Sequence, residues 1–172
     1  MKKGSFLTLR EVVLFGLFPA IIYAAQIVMS PLPNLHLTGM FVMLMTLLFR
    51  VKALIPLYVY VFLMGITNGF NLWWIPYLYI WTVLWAMTML IPKKIPFKWA
   101  MLVYPVVCAL HGFCYGILYA PAQALIFHYN FEQTVTWILS GLPFDAMHGT
   151  GNLVMGTLIL PLLKALRRFT KG

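Results

Sequence analysis

Apolar segments separated by short polar or proline-containing turns cover almost the whole chain. No segment alternates strictly between apolar and polar positions, so the pattern predicts helices and not strands. Six helices are expected, at about residues 11–29, 36–49, 53–66, 72–91, 98–127 and 137–166. The start of the last helix is open between Glu132 and Gly141. Together they predict one all-α domain over residues 1–172.

The composition indicates that these helices lie in a membrane. Hydrophobic residues make up 63% of the chain and charged residues only 9%, whereas about a quarter of a soluble domain is charged. A helix that crosses the hydrocarbon core needs about 20 residues. The second and third predicted helices are shorter than this, and whether they cross fully stays open. The chain is therefore expected to be an integral membrane protein made of a six-helix bundle.

The positive charges predict how the bundle is oriented. All 12 Lys and Arg residues fall in four clusters, at residues 2–10, 50–52, 93–98 and 164–171, and the turns between the clusters contain none. Cytoplasmic loops collect Lys and Arg. Six crossings of the cell membrane with both termini in the cytoplasm place all four clusters on the cytoplasmic side. Because the net charge of +9 sits at helix ends and forms no basic stripe among aromatic residues, no nucleic-acid partner is expected.

The densest set of polar residues in the apolar segments lies near the start of the last predicted helix. Asp145, His148 and Asn152 are spaced to share one helical face. Ionisable groups inside a membrane are costly and usually face a cavity or a partner. Two interpretations stay open. The face binds a ligand, or Asp145 and His148 form a pair that only attaches this helix to its neighbours.

The fifth predicted helix carries His111, Tyr115 and Tyr119 at a spacing of four, with Gln123 one turn further on. A packed aromatic face and a ligand-binding face are both compatible with this spacing. Two histidines and a carboxylate also occur as metal ligands. Nothing in the sequence, however, places His111 near Asp145 and His148.

The fourth predicted helix carries a ladder of large aromatic residues, Trp74, Tyr77, Trp81 and Trp85. Trp and Tyr gather at membrane interfaces, which accounts for Trp74 without any function. Trp81 and Trp85 lie deeper than such a belt reaches. They could form a wall on which a flat ring stacks, or they could pack between helices.

The first predicted helix carries small residues at Gly16, Ala20 and Ala24. This spacing lets another helix approach closely, either within the bundle or from a separate protein. The chain contains no nucleotide-binding loop and no carboxylate series of a proton-coupled carrier. It is therefore expected to bind a molecule but to lack a means of driving its transport.

With these features the chain resembles the substrate-binding S component of an energy-coupling factor (ECF) transporter. The resemblance lies in the six helices with cytoplasmic ends, the short second and third helices, and the small-residue stripe. It includes the Pro143-Phe144-Asp145…His148…Gly151-Asn152 opening of the last helix, which is similar to uncharacterised members from Gram-positive bacteria.

The resemblance implies an importer subunit that captures a water-soluble micronutrient, such as a vitamin or its precursor. Its pocket lies near the outer face, between helices 4, 5 and 6, under a cap at residues 34–37. The aromatic content favours a ring-bearing ligand, with Asp145 matched to an N–H donor or cation. The implied substrate-binding residues are Asn34, His36, Trp74, Tyr77, Trp81, Tyr115, Tyr119, Gln123, Asp145, His148 and Asn152.

The resemblance also implies partners. A transmembrane coupling protein (T component) would contact the stripe of Gly16, Ala20 and Ala24, and two cytoplasmic ATPases would supply energy. No cofactor, metal or catalytic residue is expected in such a subunit. The alternative is a small intramembrane enzyme that uses Asp145, His148 and His111 for acid–base or metal chemistry.

Overall fold

The structure is a computed structural model that describes residues 6–32 and 35–170, without the side chains of residues 169 and 170. Across these residues the chain is helical and contains no strand, so the all-α prediction is confirmed for them. Two short 3-10 helices, Arg50–Ala53 and Leu72–Trp74, accompany eight α-helices. These are α1 (Leu9–Met29), α2 (Thr38–Phe49), α3 (Leu54–Asn68), α4 (Tyr77–Met89), α5 (Phe97–Phe113), α6 (Tyr115–Phe127), α7 (Phe131–Gly156) and α8 (Ile159–Thr170).

Judged by length and composition alone, three stretches of the described chain qualify as membrane spans, namely Leu9–Met29, Thr38–Asn68, which is interrupted at Arg50, and Phe97–Phe127. A fourth results if α7 and α8, which meet at a bend of 42°, form a single span. These apolar helices are thus compatible with a multi-pass membrane protein. The six crossings and the side of each terminus stay predictions.

The stretch from Thr38 to Asn68 reverses direction at Arg50. Arg50 has a positive φ of 54° and joins α2 to the 3-10 helix that precedes α3. A straight helix from Thr38 to Tyr60 would be about 33 Å long, yet Thr38 Oγ1 lies 3.4 Å from Tyr60 Oη. The chain therefore folds back, and two short separate helices are present, as the sequence predicts.

The central element of the bundle is α2, which packs against α1, α4, α5, α7 and α8. Nine of its 12 residues are buried, as is typical of a helix that is apolar on every side. Arg50 attaches its far end to the end of α4. The guanidinium donates to the carbonyl oxygens of Met89 (2.7 Å) and Ile91 (3.3 Å), and Trp85 Nε1 donates to the Arg50 carbonyl (3.1 Å).

The predicted final helix at residues 137–166 has the wrong boundaries. Helix α7 begins at Phe131 because Asn130 and Gln133 cap each other's backbone N–H groups in a capping box. It ends at Gly156, and α8 follows as a separate helix. Pro161 explains the interruption, since proline cannot donate a backbone hydrogen bond and its ring clashes with the carbonyl four residues earlier.

Two other predicted helices are also divided. The prediction at residues 72–91 corresponds to the 3-10 helix Leu72–Trp74 followed by α4, because Pro76 occupies the N-cap of α4. The prediction at residues 98–127 corresponds to α5 and α6, which are separated at Cys114. Both cysteines are free, but Cys114 is exposed and only Cys108 is buried.

Candidate functional site

A group of ring side chains from five parts of the chain meets in the interior. His36 comes from the α1–α2 connection, and the others come from α4, α5, α6 and α7. We call this group the histidine–aromatic cluster. Its members are His36, Tyr77, Trp81, His111, Tyr115 and His148.

The rings of the cluster are in mutual contact. Tyr115 stacks on His148 with centroids 4.5 Å apart and planes at 25°. Trp81 lies 5.6 Å from His111 and 6.0 Å from Tyr115. His36 covers the group, with its centroid 4.4 Å from His148 and 5.8 Å from Trp81. The α1–α2 connection thus contacts rings of α4 and α7 and closes one side of the cluster.

The two histidines His36 and His148 meet through their Nε2 atoms. One of these atoms has to donate and the other accept, so the two rings adopt opposite tautomers and share one proton. Burial, together with nearby His148 and His111, lowers the pKa of His36 to about 3. The His36 ring is therefore neutral at physiological pH.

Close contact between α5 and α7 brings His148 to this position. A Cβ atom on Gly112 would lie 2.8 Å from the carbonyl oxygen of His148 and 2.9 Å from Cα of Gly149. The ring of Phe113 occupies the space that a side chain on Gly149 would need. Glycine at both positions allows the two backbones to approach this closely.

The polar face of α7 is buried, and each member has a separate partner. Asp145 Oδ1 accepts from the Gly116 N–H at 2.9 Å. Gly116 lies in the first turn of α6, just after the interruption at Cys114. Asn152 Nδ2 donates to the carbonyl of Cys108 at 3.2 Å. Asp145 and Asn152 therefore attach α7 to α6 and α5 at two points, on either side of His148.

Several buried polar atoms at the cluster have no hydrogen-bond partner among the described residues. They are His36 Nδ1, Trp81 Nε1, His111 Nδ1 and, nearby, Asp145 Oδ2. Buried polar groups are nearly always paired in native proteins, and each unpaired one costs about 1–3 kcal/mol. Since His111 Nε2 lies 3.1 Å from the carbonyl oxygen of Ile80, it carries the proton. His111 Nδ1 is consequently an acceptor.

Other predicted binding residues lie at the edge of the cluster or away from it. Tyr119 is 6.0 Å from Tyr115, donates to the carbonyl of Trp73 and stacks on Trp137. Trp74 donates from Nε1 to the carbonyl of Val61 and packs on the α3 side. Gln123, one turn beyond Tyr119, is half-buried on α6. Asn34 lies outside the described residues.

Gly112 and Gly116, which adjoin α7 at His148 and at Asp145, were not among the predicted site residues. They form a small-xxx-small pattern, and this pattern is the signal by which they could have been found. Gln26 was not predicted either. Its Oε1 accepts from Thr38 (3.2 Å) and lies 3.5 Å from the hydroxyl of Tyr60.

The metal alternative finds no ligand set in the described part of the chain. No group of three or more His, Cys, Asp or Glu side chains is placed there to hold an ion. His148 meets His36, and Asp145 accepts from a backbone N–H. The three residues considered for acid–base chemistry therefore have separate partners.

The small-residue stripe of α1 faces outward. Gly16, Ala20 and Ala24 are exposed, and a Cβ atom on Gly16 would meet no atom within 4 Å. Of the two interpretations, internal packing does not apply within the described bundle.

The chain was compared with protein-family models, curated proteins and solved structures. No protein-family model, curated protein or solved structure matches the chain.

Proposed function

We propose that this protein is the substrate-binding S component of an ECF-type importer for a small water-soluble micronutrient. The observation that supports it is the convergence of the α1–α2 connection with α4, α5, α6 and α7 on one cluster of rings with unpaired polar atoms. Unpaired polar groups are costly inside a membrane protein. A bound ligand would supply their partners.

The chemistry of these atoms favours a flat, ring-bearing ligand such as a vitamin or its precursor. Tyr115, His148 and Trp81 offer ring faces for stacking. Trp81 Nε1 donates, His111 Nδ1 accepts, and Asp145 Oδ2 accepts from an N–H or a cationic group. The ligand would separate His36 from His148, so the α1–α2 connection would move as it enters.

The chain would work with partners that provide the energy. The outward-facing Gly16, Ala20 and Ala24 offer a surface to a transmembrane coupling protein, which would join two cytoplasmic ATPases. The protein would lie in the cell membrane with six crossings and both termini in the cytoplasm. In this assignment it binds its substrate and catalyses no reaction.

Native mass spectrometry of the purified protein tests the proposal by detecting a retained small molecule. Trp81→Phe removes an unpaired indole N–H and part of a stacking surface, so retention should fall. Trp74→Phe is the matched control, because Trp74 contacts the α3 side and not the cluster.

Equal retention by both variants would contradict the assignment of the site. If no molecule is retained, binding of added vitamins and precursors is measured on the same preparations. If none of these compounds binds the wild-type protein, the importer proposal is wrong. Conversion of a bound compound without any ATPase would instead support the intramembrane enzyme.

A further inference from the structure

A cavity lies at the opposite end of α2 from the histidine–aromatic cluster. It has a volume of about 970 Å³ and is lined by residues of α1, α2, the α4–α5 connection and α8. Helix α2 has 12 residues, which places this cavity about 18 Å from His36. The cavity is therefore separate from the proposed substrate site.

Positive charge dominates the lining. Five of the 12 lining residues are basic, namely Arg10, Arg50, Lys93, Lys94 and Arg167. Glu11 is the single acid among the described lining residues, and Lys52 binds it at 2.8 Å. An excess of positive side chains around one space creates a potential that attracts anions. The lining thus favours an anionic ligand.

The remaining lining residues are mostly apolar. Leu14 and Leu47 to Phe49 extend the cavity along α1 and α2. A free inorganic anion would gain nothing from this surface, whereas a lipid could place an acyl chain along it. Basic cavities between membrane helices bind anionic headgroups in this way.

The neighbouring helix α8 carries basic residues at its C-terminal end. Ile159 and Leu163 are buried in the bundle, whereas Arg167 and Arg168 lie in the last turn of α8. Long basic side chains near the ends of membrane helices extend to the lipid headgroups. Since Arg167 also lines the cavity, the cavity lies at this level.

We propose that this cavity binds the headgroup of an anionic phospholipid, with its phosphate among the basic side chains and an acyl chain along α1 and α2. The site does not depend on the identity of the transported substrate. It would hold one lipid in a fixed place on the bundle.

The test titrates the full-length protein in detergent with short-chain phosphatidylglycerol and follows binding through the rise in Tm. Phosphatidylcholine and glycerol phosphate are titrated in parallel. We expect phosphatidylglycerol alone to bind. The K93Q/K94Q variant should bind it about thirtyfold more weakly, which corresponds to about 1 kcal/mol for each charge.

The K98Q/R168Q variant is the matched control. It loses the same charge from exposed residues that do not line the cavity, so its affinity should stay within about threefold of wild type. Lys93 and Lys94 are exposed, so both variants should fold. As a measurement free of substitutions, added salt should weaken phosphatidylglycerol binding by the wild-type protein.

Three results would overturn the proposal. Equal loss in both double variants would mean that only net charge matters. Equal binding of phosphatidylcholine would exclude headgroup recognition. An equal effect of glycerol phosphate would identify a soluble anion as the ligand. Each of these results leaves the test of the substrate site unaffected, because the mass-spectrometric comparison involves Trp81 and not this cavity.

Discussion

The contact between α5 and α7 can be tested by replacing Gly112 with alanine. The new Cβ atom would lie 2.8 Å from the His148 carbonyl oxygen, against ordinary contacts of 3.4–4 Å. Two of the three obstructing atoms belong to the backbone of α7 and the third is Nδ2 of Asn152, so α7 has to move by about 0.6 Å to restore an ordinary contact. Overpacking of this kind costs about 1–3 kcal/mol, and the better helix propensity of alanine offsets up to about 1 kcal/mol. A net loss of about 1–2 kcal/mol is expected.

Gly141→Ala is the control, because a Cβ atom on Gly141 in α7 meets nothing within 4 Å. Its helix propensity should stabilise the protein by up to about 1 kcal/mol. The two variants should then differ by about 2 kcal/mol, or about 4–8 °C in Tm for a chain of this size. Thermal unfolding in one detergent, followed by tryptophan fluorescence, measures this difference. Equal Tm values would refute the inferred backbone contact.

The remaining predictions concern the partner surface, the topology and the pH dependence. Ala24→Trp should abolish uptake in cells that contain the coupling partners but leave ligand retention intact, because Ala24 is exposed; lost retention would contradict the assignment of the stripe as a partner surface. Cysteines at Asn71 and Asn130 should react with a membrane-impermeant thiol reagent in intact cells, whereas labelling at Lys94 would contradict the proposed orientation. Because the pKa of His36 is lowered to about 3 in the folded state, stability should fall as the pH drops from about 6.5 towards 3, by up to about 1.4 kcal/mol per unit for this group. The dependence should weaken in His36→Gln when unfolding is measured across that range, and an unchanged slope would exclude His36 as a source.

The sequence predicted the helices well where apolar runs end at charges or caps. Arg50 and Lys52 interrupt one such run, and the chain reverses there. The predicted helix boundaries were wrong where a proline removes a hydrogen bond from the preceding helical turn. Pro161 separates α7 from α8 although the apolar pattern continues through both.

The contacts of the candidate site were less predictable because they join distant parts of the chain. His36 and His148 are 112 positions apart, and no periodicity relates them. The partner of Asp145 is a backbone N–H that becomes accessible only where the helix is interrupted at Cys114. Residue spacing predicts which side chains share one face of a helix, but it does not predict which backbone group of another helix they contact.

The shortness of α3 has a consequence for the surrounding bilayer. α3 has 15 residues and exposes Val59, Phe62 and Ile66 on its outer side. Its length of about 22 Å is about 8 Å less than the hydrocarbon core of a typical membrane. Lipids beside α3 would have to compress, at a fraction of a kcal/mol for each Å of mismatch. If α3 crosses the membrane as proposed, thinner bilayers should favour the folded bundle, and acyl-chain length should then affect the stability of this protein.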